Sequence, residues 1–345
     1  MDNLKLKVVE KVWETSQSCT FYFENTAGQT VFYKPGQFLT FLLEIGGNEV
    51  RRCYSICTVP VKDKMLGITV KRAEQGLASI YFTEKINIGD VLECLHPSGQ
   101  FFPTMSSKNR KEYFLIGAGS GIVPLFSILQ TLLFKEPHST VHLVYANRDE
   151  QSIIFNKKLA NLELQYSDRL NIVHVLSRPS SGWLGFKGRL NEDLLVDIVQ
   201  ECAQEPKQET MFFLCGPHDF MKMAERTLVQ MGYPTDMIKK EDFASNVTVE
   251  KSNGIHSLVK IIYKNQEYEF QISYGQSILD AALENGIKIP YSCTNGVCTA
   301  CIGTCVDGKV DFSSSDALSK NEIAQGYVLT CVGYPLTSNV TIRVD

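Results

Sequence analysis

The sequence predicts a multidomain chain: an antiparallel β-barrel, then an α/β domain built on a parallel sheet, then a small α+β domain. Three observations carry this expectation. From Leu4 to about Pro103 short alternating runs ("LKLKVVEKVW", "CTFYFEN", "QFLTFLLEI", "MLGITVKR") are broken by turn residues, the pattern of a half-buried antiparallel sheet. From about Tyr113 buried strands alternate with helices, which calls for a parallel sheet covered on both faces. The last ninety or so residues combine a hairpin-like pair, a helix and an irregular cysteine-rich loop. At 345 residues the chain exceeds what one core organises, so two or three domains are expected.

The elements of the middle segment follow in order. "YFLIGAGSG" is a strand entering a glycine turn, and "IVPLFSILQTLL" is the helix after it. Strand "VHLVYANR", a helix from about Gln151, strand "NIVHVLS", a helix near Asn191, strand "TMFFLCG" and a helix from about Asp219 to Gly232 complete the alternation. The polar stretch "KKEDFASNVTVEKSNGIH" reads as a linker. The expected boundaries are 1–106 for the barrel, 107–238 for the α/β domain, 239–253 for the linker and 254–345 for the last domain.

Composition excludes several classes. A net charge of −4 with no basic run argues against nucleic acid and against an anionic membrane surface. No run approaches the ~20 apolar residues that cross a bilayer, and the N-terminus lacks a signal-peptide core, so a cytoplasmic protein is expected. In that compartment thiols stay reduced, and eleven cysteines point to metal or redox chemistry rather than disulfides.

Cys293, Cys298 and Cys301 are spaced C-x4-C-x2-C, with Cys331 further on, which is the plant-type [2Fe-2S] spacing. Three thiolates from one loop and a fourth from elsewhere can grip two irons, while small neighbours (Gly296, Thr299, Ala300, Gly303) admit backbone N–H groups to the sulfur atoms. Zinc would call for a second C-x2-C pair, and a redox dithiol for a strand-then-helix setting; neither is present. Cys305 is read as a packed spectator, and Cys19, Cys53, Cys57, Cys94 and Cys202, without partners at ligand spacing, as packing or surface thiols. Six histidines form no metal-binding pair. Along its full length this segment resembles the plant-type ferredoxins, which implies their β-grasp fold.

"GAGSGIVP" follows a strand and opens a helix, where backbone N–H groups and the helix dipole receive a pyrophosphate. The dinucleotide fingerprint fails at Ile122, and no acidic residue ends the second strand; G-x-G-x-x-P, with Gly119, Gly121 and Pro124 around Ser120, fits instead. An ordinary tight turn remains open on this pattern alone. "LSRP" (Leu176 to Pro179) and "LCGP" (Leu214 to Pro217) close two further strands at the same edge. This set resembles the pyridine-nucleotide domain of the ferredoxin-NADP reductase family. The resemblance implies that Ser177 and Arg178 bind the 2'-phosphate of NADPH, favouring it over NADH, and that Cys215, with Gly216 and Pro217, lies beside the nicotinamide.

A hydride brings two electrons and a two-iron cluster accepts one, so a flavin is required between them. In the barrel, "RRCYS" matches the family's R-x-Y-S. The resemblance implies Arg52 on the flavin phosphate, Tyr54 against the isoalloxazine and Ser55 near its N5, with Cys53 between them. "GLAS" (Gly76, Leu77, Ala78, Ser79), after Val70 and Lys71, resembles the pyrophosphate-binding G-x-x-S and favours FAD over FMN. Glu241 and Phe243 stand where relatives bring a carboxylate and an aromatic ring toward the flavin.

In order and detail ("YANRDEQSIIF", "LSRP") the chain looks most like the reductase components of bacterial oxygenases, notably the phenylacetyl-CoA epoxidase and ketosteroid hydroxylase reductases. The path this implies runs from NAD(P)H through FAD and the cluster to a terminal oxygenase or other acceptor protein. Ser55 and Cys215 would then act as the positioning groups at the reacting atoms. From Gly254 to Asp345 there are six basic and nine acidic residues, an acidic balance that can steer a basic acceptor. The alternative is an iron-sulfur carrier or sensor that binds nucleotide without turnover.

Overall fold

Alternation in the first hundred residues becomes a six-stranded antiparallel sheet in the computed structural model, which describes residues 3–60, 62–243, 255–311 and 317–344. Strands β1 (Leu4–Thr15), β2 (Ser18–Asn25), β3 (Phe38–Ile45), β4 (Asn48–Ser55), β5 (Leu66–Lys71) and β6 (Val91–Cys94) run in the order β4-β3-β6-β1-β2-β5. A bridge between Ile56 and Ile68 joins the chain after β4 to β5 at the other edge, which closes the sheet as a barrel requires. Helix α1 (Leu77–Lys85) sends Phe82 into the interior, edge-on to Phe21 and Phe41 at 5.5 and 5.1 Å between centroids.

The middle segment forms a second, fully parallel sheet. Its elements are β7 (Glu112–Ala118), α2 (Ile122–Lys135), β8 (Thr140–Asn147), α3 (Asn156–Gln165), β9 (Leu170–Leu176), β10 (Phe186–Lys187), α4 (Glu192–Cys202), β11 (Thr210–Cys215), α5 (His218–Gln230) and β12 (Ile238–Glu241). The strand order is β10-β9-β8-β7-β11-β12. Succession runs outward from β7 through β8 and β9, then returns to place β11 on the other side of β7. The crevice between β7 and β11 is therefore the topological switch point, where ligands of such sheets bind beyond the strand C-termini.

Two expectations are corrected here. The helix expected from about Gln151 begins at Asn156: Asp149 closes a capping box over a short 3₁₀ turn, Glu150–Ser152, and Phe155 then takes a left-handed φ of 62°. Residues 239–241, expected to open the linker, belong to β12, which pairs with β11 from Phe212↔Ile238 to Cys215↔Glu241. Residues 244–253 of the expected linker, and Gly254, lie outside the described residues. The barrel and the parallel-sheet domain are joined through polar contacts: Ser127 Oγ donates to the Thr58 carbonyl at 2.6 Å, and Lys158 Nζ to Glu14 Oε1 at 2.8 Å.

Contacts divide the chain into two units, Met1–Val50 with Tyr54–Pro97 and Phe101–Phe243, and Arg51–Cys53 with Ser98–Gln100 and Ala244–Asp345. The second contains the C-terminal domain: β13 (Ser257–Tyr263), β14 (Gln266–Ile272), α6 (Ile278–Glu284), β15 (Ile302–Asp307), β16 (Val310–Asp311), α7 (Lys320–Ala324), β17 (Tyr327–Leu329), β18 (Tyr334–Pro335) and β19 (Asn339–Val344). The turn between β13 and β14 has positive φ at both Lys264 and Asn265, the twist that a two-residue hairpin demands. Five strands run β14-β13-β19-β15-β17, with β13 and β19 parallel, and α6 buries Ile278, Leu279, Ala281 and Ala282 in the same core as Val259 and Ile261. That is the expected grasp of a mixed sheet around one helix. No helix among the described residues is long and apolar enough to cross a membrane.

Candidate functional site: a nucleotide crevice, a flavin cradle and a four-thiol cluster

At the switch point, β7 ends in a 3₁₀ turn, Gly119–Gly121, that leads directly into α2. Gly119 adopts φ +54°, where a side chain is strained, and a Cβ on Gly121 would sit 2.0 Å from the Cys215 carbonyl oxygen, so that position tolerates no side chain. The glycines thus let the turn close against the end of β11. No side chain caps α2, and none caps α5, whose N-cap is Pro217. Two helix N-termini with their dipoles meet at one edge, which suits an anionic cofactor. Substituting Gly121 by Ala is expected to push β11 and α2 apart and to raise the KM for nucleotide about tenfold, a displacement effect read in steady-state kinetics.

Cys215 is fully buried at the end of β11. Burial first, then the Glu241 and Asp242 charges, push its thiol pKa well above the ordinary value, so it stays protonated and acts by position. Its register partner on β12 is Glu241, which is itself 4% exposed. Ser55, buried at the end of β4, directs Oγ at Glu241 Oε2 over 3.5 Å, a long hydrogen bond. Ser55, Glu241 and Cys215 therefore form one buried polar group joining barrel and nucleotide domain. Glu241, which the resemblance had placed toward the flavin, stands here with Ser55 and Cys215. Phe243 follows β12 with 42% of its surface exposed.

The barrel supplies the remaining cradle. Tyr54 packs edge-on against Phe82 at 4.9 Å, while Arg52 is exposed and Cys53 half-buried on β4. Ser79 Oγ accepts from the Ala73 N–H at 3.1 Å and donates to the Gly76 carbonyl at 2.9 Å, so its hydroxyl shapes the turn that ends at Gly76. The first turn of α1, with Leu77, Ala78 and Ser79, carries no side-chain cap. An uncapped helix start beside a serine-braced glycine turn fits a pyrophosphate, whose oxygens would accept from the backbone N–H groups. Val70 is buried at the end of β5, and next to it Lys71 brings Nζ to 3.3 Å from where a Gly119 Cβ would stand. Partial burial of that ammonium, then repulsion from Arg148, lower its pKa.

Arg148 was not among the expected binding residues. The Ser177 N–H donates to the Asn147 carbonyl at 3.0 Å and the Arg178 N–H to that of Arg148 at 2.6 Å, which places two exposed arginines side by side beyond the ends of β8 and β9. The only sequence signal was Arg148 following "VHLVYAN", and nothing in spacing paired it with Arg178.

In the C-terminal domain the four expected cysteines are buried and arranged as two pairs. Cys293 and Cys298 stand with sulfurs 3.1 Å apart, Cys301 and Cys331 with sulfurs 3.2 Å apart, and Cys331 also reaches Cys293. Cys331 is set beside Cys301 because Thr330 donates both its N–H and its hydroxyl to the Cys301 carbonyl, at 3.0 and 3.1 Å. The Asn295 N–H approaches Cys293 sulfur at 3.4 Å, and hydrogen bonds from Cys298 and Cys331 drive Cys293 toward the thiolate. Among the described residues no group of three or more His, Cys, Asp or Glu side chains encloses a single metal ion. Two adjoining thiol pairs instead fit two irons, one per pair, with backbone N–H groups at the sulfurs. Gly303 has a different reason from the one expected: a Cβ there would meet Ile342 at 2.8 Å and the Arg343 carbonyl at 2.9 Å, so it serves strand packing. Cys305 lies on β15, half-buried, pointing its sulfur at the Asp307 carbonyl.

The comparisons agree with this division. Residues 4–102 match the model of an oxidoreductase FAD-binding domain, 115–226 that of an oxidoreductase NAD-binding domain, and 261–336 that of a 2Fe-2S iron-sulfur cluster binding domain. The chain is 33% identical to a component protein of the 1,2-phenylacetyl-CoA epoxidase of Escherichia coli (strain K12), over 99% of this chain and 97% of that one. It is also 33% identical to the 3-ketosteroid-9-alpha-monooxygenase ferredoxin reductase component of Rhodococcus rhodochrous, over 97% of this chain and 94% of that one. In fold it is similar to phthalate dioxygenase reductase, with a TM-score of 0.63 at 22% identity over 99% and 98% of the two chains. With FAD, [2Fe-2S] and NAD(P)H each provided for, the chain belongs to the family of reductase components that includes these two relatives, and it is an NAD(P)H-dependent, ferredoxin-type oxidoreductase.

Proposed function

We propose that this protein is the reductase component of a cytoplasmic oxygenase system, taking hydride from NADPH and delivering electrons singly to a terminal oxygenase. The observation that carries this reading is the end-to-end similarity to an epoxidase component and to a monooxygenase reductase component, with all three cofactor modules in one chain. FAD, when bound, would convert paired electrons into single ones. Residues 1–106 would hold it: Arg52 on its phosphate, Tyr54 against its ring, Ser55 near its N5, and Val70, Lys71 and Gly76 to Ser79 around its pyrophosphate. Residues 107–238 would receive the nucleotide, with Gly119, Ser120, Gly121 and Pro124 at its pyrophosphate and Cys215 to Pro217 at the nicotinamide. Phe243 would lie toward the flavin, and residues 254–345 would carry the cluster on Cys293, Cys298, Cys301 and Cys331.

The preference for NADPH is supported by the Arg148–Arg178 pair. A 2'-phosphate dianion between two guanidinium forks gains charge-assisted hydrogen bonds that the 2'-hydroxyl of NADH cannot make. Each such bond contributes about 1.5–3 kcal/mol. Replacing both arginines by Ala is expected to raise the KM for NADPH by about 10- to 100-fold while leaving that for NADH nearly unchanged. Equal KM values for the two nucleotides in the unaltered protein would refute the assignment. For the function as a whole, NADPH added anaerobically should bleach the flavin and cluster bands together and support rapid cytochrome c reduction. Negligible turnover would favour the carrier or sensor instead.

A further inference from the structure

The parallel sheet has a second edge, at the N-terminal ends of its strands, where the nucleotide does not bind. A cavity of about 430 Å³ opens there, lined among others by Thr140, His142, Arg169, Asn171, Glu201 and Cys202. Its volume lies within the range of small-molecule sites, about 300–1,000 Å³. Cys202 is the last residue of α4, half-buried and free of any disulfide. Asn171 Nδ2 approaches its sulfur at 3.2 Å.

Behind the thiol stands a buried imidazole. His142, 4% exposed, is stacked on Phe114 at 4.6 Å, and its Nε2 lies 3.1 Å from Glu112 Oε1. Glu112 is completely buried and is itself held by the Gln204 N–H at 3.0 Å and the Thr210 hydroxyl at 3.4 Å. With Nε2 committed to the carboxylate, Nδ1 is the nitrogen left for the thiol. It is buried and has no hydrogen-bond partner, and the His142 ring and the Cys202 thiol line the same cavity. A carboxylate that orients an imidazole, and an imidazole that faces a thiol, are the parts that activate a sulfur nucleophile. None of them takes part in the nucleotide, flavin or cluster sites.

We propose that Cys202, His142 and Glu112 form a thiol–imidazole–carboxylate relay, and that Cys202 is a modification site that exchanges with low-molecular-weight disulfides entering this cavity. The thiol proton passes to His142 Nδ1 and the sulfur attacks one sulfur of the disulfide. A bond forms between Cys202 Sγ and that sulfur while the incoming disulfide bond breaks. The departing thiolate takes the proton back from His142 and leaves as a thiol. Cys202 is oxidised to a mixed disulfide and one sulfur of the reagent is reduced, so atoms and electrons balance; excess thiol reverses the step.

The basicity of the ring supports this geometry. Burial opposes its charge, but interaction with Cys202 and Glu112 outweighs burial and raises its pKa to about 9. The proton therefore stays on the ring below that pH. The other charged groups lining the cavity are Arg169, Asp168 and Glu201, and Cys202 closes the C-terminus of α4.

The test uses the full chain with its cofactors bound and two probes, oxidised glutathione and 4,4'-dithiodipyridine, with adducts located by peptide mass mapping. A peptide spanning residues 198–206 serves as the reference thiol. At pH 6 Cys202 is expected to react at least about tenfold faster than the peptide, because an unassisted thiol loses about tenfold in thiolate per pH unit below its pKa. Between pH 8 and pH 6 its rate should change less than about threefold. His142→Gln should return the rate to that of the peptide, and Asn171→Ala, which leaves the imidazole in place, should lower it in part. Cys202→Ser should abolish the adduct and leave NAD(P)H oxidation intact. A rate at pH 6 equal to or below that of the peptide, or a folded His142→Gln protein that reacts as fast as the unaltered one, overturns the relay. Should that variant fail to fold, the pH profile of the unaltered protein decides.

Discussion

Changing Cys298 to Ser is expected to abolish electron delivery to cytochrome c while sparing direct reduction of ferricyanide by NADPH. Cys298 is buried with its sulfur against that of Cys293, so its loss removes half of one thiol pair. A hydroxyl is a poor ligand for iron beside sulfur, and the loop from Cys293 to Cys301 has no second thiol within it to substitute. Changes in outer-shell partners of metal sites already cost about 10- to 100-fold, so losing a ligand should cost more than about 100-fold. The measurement is a pair of rates on one preparation, with the visible spectrum and iron content alongside. Equal loss of both activities would mean that the cysteine supports the fold as a whole and would argue against a separate exit port.

The second large effect is expected at Glu241. Conversion to Gln keeps the shape and removes the charge, disturbing both the Ser55 hydroxyl at 3.5 Å and the Cys215 thiol across the strand pair. Misplacing reacting groups by about 1 Å can cost about 100-fold, and a loss of that order in the rate of NADPH-driven bleaching is expected, with nucleotide affinity nearly unchanged. Stopped-flow absorbance separates the two quantities. Ser55→Ala should act in the same direction, and the double variant should be no worse than the poorer single one if the residues work as a unit. A purely additive pair of losses would show that they act separately. Cys215, whose thiol stays protonated, should contribute no pH break near neutrality.

Some parts of the site were legible because they are local. The C-x4-C-x2-C loop and the Gly119–Pro124 turn depend on the spacing of neighbours, and the structure brings the cysteines together and seats the glycine turn at the switch point. β12 escaped notice because "IKKE" is four residues long and shows no apolar alternation; only its parallel partner β11 makes it a strand. The late start of α3 was equally invisible, since nothing in "EQSIIFN" announces the left-handed Phe155.

Residue type and spacing along the chain were enough to determine the antiparallel, parallel-sheet and cysteine-rich segments, their order and the two-iron thiol spacing, because hydrophobic period, glycine turns and thiol intervals act over a few residues; the nucleotide and the flavin were implied by the family resemblance of short motifs. Tertiary structure alone decided which distant side chains share a site. Ser55 meets Glu241 across 186 positions, and His142 lies 30 positions from Glu112. Arg148 stands beside Arg178, and Cys202, read from the sequence as a packing or surface thiol, shares a cavity with His142, only when strands and helices are packed. The reason is physical: strand order and crossover handedness fix which chain ends converge, and one-dimensional spacing holds no record of that convergence.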